Sequence, residues 1–152
     1  NNGLMGVLAD ATLQAGGRVV GIIPRSMVER EWAKRDCTEL HIVDNMHQRK
    51  LRMAELAEGF IAMPGGYGTL EELFEVLTWG QLGLHRKPIG ILNVAGFYDA
   101  LVTLLDHMTA QGLLRAENRR QLLVADNITE LLAQMDAWQP SNVEKWLTPN
   151  RS

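Results

Sequence analysis

Two short stretches of the chain carry the residues with the most chemical capacity. The first is Pro64-Gly65-Gly66-Tyr67-Gly68-Thr69, followed by Glu71, Glu72 and Glu75. Three glycines let a backbone come close to a ligand and turn its N–H groups outward. A helix starting directly after them adds unpaired N–H donors and a positive dipole end. Together these predict an anion site, for which a phosphate is the expected occupant, with the Thr69 hydroxyl as a further donor. No GKS or GKT follows, so this is not a Walker loop, and the GxGxxG spacing is absent. The bland alternative is a tight strand-to-helix turn with no ligand. Glu72 also has two readings. Thr69-x-x-Glu72 fits a capping box, in which the glutamate only closes the helix start. Otherwise Glu72 is a carboxylate beside a bound phosphate, and since it would repel the phosphate it addresses a neighbouring part of the ligand.

The second stretch is Met46-His47-Gln48-Arg49-Lys50. Met46, Met53, Leu56 and Ala57 define an apolar stripe on a helix, and Arg49 and Lys50 project into the same arc. A cation in such a stripe either snorkels over the core or meets an anion. Both lie near the helix start, where positive charge is unfavourable unless an anion is present. Histidines 41, 47, 85 and 107 show no metal-ligand spacing. Cys37 is the single cysteine, which excludes an intrachain disulfide and a multi-cysteine metal site. A reducing, cytoplasmic location is the expectation.

The surrounding chain must position these groups. It has 152 residues, 46% of them hydrophobic and 22% charged, with a net charge of −3. That mix suits one globular domain over residues 1–152 and argues against disorder. Weak acidity argues against non-specific nucleic-acid binding. No apolar run approaches the length of a membrane span. Helical spacing starts at Leu4 and stops at Gly16-Gly17. Strands are expected at Arg18–Ile23, Leu40–Val43, Gly59–Met63, Pro88–Asn93 and Leu122–Ala125. Residues 25–38 read as polar and irregular. Helices are expected from about Asn45 to Ala57, from the glycine loop to about Trp79, over Tyr98–Ala110, and from a cap at Asn127 to about Ala137. The tail after Pro140 is expected to be loosely held. Alternating short strands and helices predict an α/β, Rossmann-like domain, a mainly parallel sheet with helices on both faces. In such sheets ligands sit beyond the carboxyl ends of the strands. Glycines at a helix entrance usually follow a strand, so a preceding β-α-β portion is expected to be missing before Asn1.

Taken together, these residues resemble the "lonely guy" (LOG) family. The resemblance rests on Gly3-Leu4-Met5-Gly6 with Ala9-Asp10-Ala11, Met46-His47-Gln48-Arg49-Lys50, Pro64 through Glu72, and Thr78-Trp79-Gly80-Gln81-Leu82-Gly83. It continues through Lys87–Asn93 and Gly96-Phe97-Tyr98. The family comprises cytokinin riboside 5′-monophosphate phosphoribohydrolases and bacterial relatives. The resemblance implies hydrolysis of the N-glycosidic bond of adenosine 5′-monophosphate or its N6-modified forms, giving free base and ribose 5-phosphate. It implies a homodimer, no metal and no organic cofactor. Arg49 and Glu72 match the family's catalytic pair, and Gly65, Gly66, Gly68 and Thr69 its phosphate loop. Met46 is a further candidate substrate-binding position, and Lys50 a candidate for phosphate binding or for structural pairing. Trp79, Leu82 and Leu84 are expected to form an apolar dimer surface. A non-catalytic binding module, such as a molybdenum-cofactor carrier, is the alternative. Lysine decarboxylase chemistry would need a pyridoxal lysine, and Lys34, Lys50, Lys87 and Lys145 sit in no recognisable cofactor motif.

Overall fold

All strand pairings in the computed structural model, which describes residues 3–28 and 37–140, are parallel. The expected loose tail and residues 29–36 of the expected irregular segment lie outside the described residues. The chain divides after Ala57 into two compact units.

In the first unit, α1 (Leu4–Gln14) ends where expected, with Gly16 at φ +78° and the Gly17 N–H donating back to Thr12 at 2.8 Å. A left-handed residue after the last turn is a common helix terminator, and glycine adopts it without strain. Strands β1 (Val20–Pro24) and β2 (Glu39–Val43) pair with Val20 opposite Glu39 and Pro24 opposite Val43. Residues 25–28, expected to be irregular, form one helical turn, α2 (Arg25–Val28). Helix α3 (Met46–Leu56) follows β2 and packs on β1 and β2. Its start is capped twice over. Asn45 Oδ1 accepts from the Gln48 N–H at 3.0 Å, and Gln48 Oε1 accepts from the Asp44 N–H at 2.9 Å. Such reciprocal bonds satisfy donors that the helix cannot satisfy itself.

The second unit contains β3 (Phe60–Ala62), α4 (Tyr67–Gln81), β4 (Ile89–Leu92), α5 (Asp99–Ala110), α6 (Ala116–Arg119), β5 (Leu122–Ala125) and α7 (Ile128–Ala137). The strand order is β3-β4-β5. Phe60, Ile89 and Leu122 share one register line, and Ala62 and Ile91 the next. These side chains meet Leu73 and Val76 of α4 and Leu105 of α5 in one apolar cluster. Strand side chains alternate between faces, so Gly90 looks the other way. There a Cβ would stand 2.7 Å from Leu131 Cδ1, which places α7 directly on that strand. Helices therefore cover both faces of this sheet, as the α/β pattern required. Ile89, Ile91 and Leu131 are fully buried, each contributing roughly 1.5–3 kcal/mol of hydrophobic stabilisation. Asn127 caps α7 as expected, accepting from the Glu130 N–H at 2.9 Å.

Leu70, Leu73 and Leu77 of α4 pack on the apolar cluster together with Val76 and Trp79, while Phe74 is 39% exposed. The helix begins earlier than the sequence suggested. Gly66 is its N-cap, with φ −95° and ψ −154°, and the Gly66 carbonyl accepts from the Leu70 N–H at 3.2 Å.

Candidate active site

Parallel pairing brings the loops after β3, β4 and β5 to one edge of the three-stranded sheet. The loop after β3 is the glycine segment. With Gly66 at the N-cap, the N–H groups of Tyr67, Gly68 and Thr69 are the first of α4 and have no intrahelical partner. None of these glycines has a positive φ. Their small size matters for space instead. A Cβ on Gly65 would stand 2.9 Å from Thr69 Cβ, so Thr69 folds back over Gly65 and fixes the turn. A Cβ on Gly66 or Gly68 would meet no atom within 4 Å. Nothing inside the unit demands glycine there, and the freed space lies beside the helix N-terminus, where an anion is favoured.

The capping-box reading of Glu72 does not survive. Thr69 is the third residue of α4 rather than its cap, and Glu72 is the sixth. A residue that far in cannot reach the N-cap backbone N–H. Glu72 lies one turn before buried Val76 on the same flank and is itself half-buried, whereas Glu71 is exposed. From Gly68 to Glu72 the helix rises about 6 Å, four residues at ~1.5 Å each.

The loop after β4 was missed as a site element. Asn93 Oδ1 accepts from the Tyr98 N–H at 2.6 Å, and the Tyr98 hydroxyl donates to the Met63 carbonyl at 2.6 Å. Met63 directly precedes Pro64. Burial raises the pKa of the Tyr98 phenol, so it stays a donor. The available signal was an asparagine ending a buried strand, followed by Gly96-Phe97-Tyr98.

Met46, Arg49 and Lys50 belong to the other unit, in the first turns of α3, just past the carboxyl end of β2. Arg49 and Lys50 are half-buried, as their place in the apolar arc predicted. Met46, expected in the stripe, is 38% exposed, and its sulfur accepts from Arg49 Nη1 at 3.6 Å. Arg52 turns away and pairs with Glu55 at 3.1 Å. A shallow hollow of about 460 Å³, lined by residues including His41, Leu51 and Glu55, contains none of the expected site residues. Among the described residues no cluster of His, Cys, Asp and Glu is grouped to hold a metal, and no helix is long and apolar enough to cross a membrane.

The family model described as "Possible lysine decarboxylase" matches residues 5–135. The chain belongs to this family. Its members include the LOG proteins whose motifs the sequence resembles. The chain is 46% identical over 138 residues to cytokinin riboside 5′-monophosphate phosphoribohydrolase LOG7 of Arabidopsis thaliana, covering 91% of this chain and 64% of that protein. It is 44% identical over 138 residues to the LOG phosphoribohydrolase of Oryza sativa subsp. japonica, covering 91% and 57%. With LOG2 of Arabidopsis thaliana it shares 46% over 140 residues, covering 92% and 66%. The chain thus spans between 57% and 66% of the length of these LOG relatives.

Proposed function

We propose that the protein carrying this chain hydrolyses the N-glycosidic bond of adenosine 5′-monophosphate or an N6-modified form of it, releasing free base and ribose 5-phosphate. One observation carries the reading. The backbone at Gly66 and Gly68 is open beside the N-terminus of α4, with half-buried Glu72 about one ribose further along the helix. The names of the relatives, all phosphoribohydrolases acting on cytokinin riboside 5′-monophosphates, support it. The decarboxylase in the family description is not favoured, because the four lysines supply no pyridoxal motif.

In this mechanism the N–H groups of Tyr67, Gly68 and Thr69, with the Thr69 hydroxyl, anchor the 5′-phosphate. That remote binding energy orients the ribose. Cleavage of the C1′–N bond builds positive charge on the ring, as in other glycoside cleavages. Anionic Glu72 stabilises that charge and deprotonates the attacking water, whose oxygen bonds C1′ as the base leaves with the bond's electron pair. By resemblance Arg49 is the second catalytic residue, as a clamp or as a balancing charge, with Met46 and Lys50 as candidate binding positions. No metal or cofactor is required by these steps.

Replacing Glu72 tests the assignment. Glu72→Gln is nearly isosteric, and away from the cap it costs within about 1 kcal/mol of stability. We expect kcat to fall on the order of 100-fold, the scale of losing one electrostatic stabiliser, with Glu71→Gln close to wild type. Near-normal kcat in Glu72→Gln would assign the carboxylate elsewhere.

The same reading includes a homodimer. Leu82 and Leu84 are 60% and 70% exposed at the end of α4, which suits an interface, although Trp79 packs partly into the core instead of joining them. A cytoplasmic location, argued from the lone Cys37, completes it, and cell fractionation tests it.

A further inference from the structure

Tyr98 is fully buried, yet its one polar atom reaches the stretch of chain that leads into the phosphate loop. Its hydroxyl donates to the Met63 carbonyl at 2.6 Å, across 35 residues of sequence. The β3–β4 ladder ends at Ala62 opposite Ile91, so Met63 lies beyond it. The residues that follow are Pro64, which has no N–H, and then Gly65 and Gly66, which have no side chains. Thr69 packs over Gly65 at its far end, but at its entrance, at Met63 and Pro64, such a segment has few means of fixing itself.

Tyr98 is in turn held firmly. Asn93 Oδ1 accepts its N–H at 2.6 Å, Asn93 Nδ2 donates to Asp99 Oδ1 at 2.8 Å, and the Asn93 N–H donates to Ala125 of β5 at 2.7 Å. The turn between them holds Ala95 at φ +51° and Gly96 at φ +71°. A non-glycine residue in the left-handed region persists only where its surroundings over-determine it. The connection after β4 is therefore a rigid strut that ends on the carbonyl preceding the glycine loop.

We propose that Tyr98 is a positioning residue for the phosphate loop, fixing the direction in which the chain enters Gly65–Thr69 and so aiming the α4 N–H groups at the 5′-phosphate. The inference rests on the phosphoribohydrolase reading above. Tyr98→Phe keeps the ring and removes only the pin. In the full-length protein, kcat/KM is measured for adenosine 5′-monophosphate and for adenosine. Their ratio does not depend on the fraction of folded enzyme, so a purely structural role leaves it unchanged. We expect the ratio to fall about tenfold, with the loss in KM for the monophosphate, and the inhibition constant of ribose 5-phosphate to rise in parallel. If Tyr98→Phe does not fold, Asn93→Ala, which keeps the hydroxyl but releases the Tyr98 backbone, is expected to lower the ratio in the same way. An unchanged ratio in the variant that folds overturns the role of Tyr98 alone. A wild-type ratio near one removes the phosphate anchor, and the role of Tyr98 with it.

Discussion

Replacing Gly68 by alanine separates what the fold needs from what the ligand needs. Gly68 is the second residue of α4, its φ is not positive, and an added Cβ would meet nothing within 4 Å. Alanine fits that backbone and restricts the unfolded chain, so Gly68→Ala should stabilise the protein by about 0.4–1 kcal/mol. For a domain of this size that raises Tm by roughly 1–4 °C. The methyl group would occupy the open space beside the helix N-terminus and hold a phosphate away from the N–H groups. Losing one charge-assisted hydrogen bond costs about 1.5–3 kcal/mol, or about 10- to 100-fold in affinity. Gly65→Ala is the contrasting variant. Its Cβ would press on Thr69 Cβ at 2.9 Å, an overpacking that costs about 1–3 kcal/mol, so it should lose stability and activity together. Calorimetry and steady-state kinetics on both variants give the result. A Gly68→Ala protein that is more stable yet keeps its KM for the monophosphate would refute the argument that this space belongs to a ligand.

Three other outcomes are expected. Gly90→Ala drives a methyl to 2.7 Å from Leu131 Cδ1 in a fully buried contact, so the urea midpoint should fall by an amount equivalent to about 1–3 kcal/mol with an unchanged slope. The hydrogen bonds from Arg18 and His41 hold the Glu39 carboxyl below its usual range. Because the folded value is the lower one, the stability this cluster adds is present above the unfolded pKa and is lost as pH falls through the folded one; NMR titration of Glu39 should move back towards the ordinary value in Arg18→Gln. Light scattering of the full-length protein at micromolar concentration should give twice the monomer mass, and Leu84→Glu should reduce it, since a charge at an apolar interface is left unpaired.

What the residues disclosed, and what they concealed, follows from the range of the interactions. PIGILN between Lys87 and Val94 reads as a buried strand because its apolar run is short and bounded, and β4 lies there. Asn127 announced α7 because a cap acts within three residues. The start of α4 was hidden, because Gly66 and Gly68 are poor helix formers and their segment reads as loop. That concealment kept the capping-box reading of Glu72 alive until the position of the cap excluded it. That Val76 of α4 is inward and Phe74 partly outward depends on where the sheet lies and not on the helix's own periodicity. Tyr98 and Met63 are joined across a separation that no local pattern encodes. The residues of the glycine loop lie at the carboxyl edge of their sheet, and Arg49 and Lys50 past the carboxyl end of theirs, because strand-to-helix junctions in parallel sheets fall there.

The central claim is the bond that is broken. Incubating the full-length protein with adenosine 5′-monophosphate or an N6-modified form, and resolving the products by chromatography, tests it most directly. The account predicts free base and ribose 5-phosphate in equal amounts, with no nucleoside and no inorganic phosphate. Nucleoside with inorganic phosphate, or a nucleotide bound but returned intact, would contradict it.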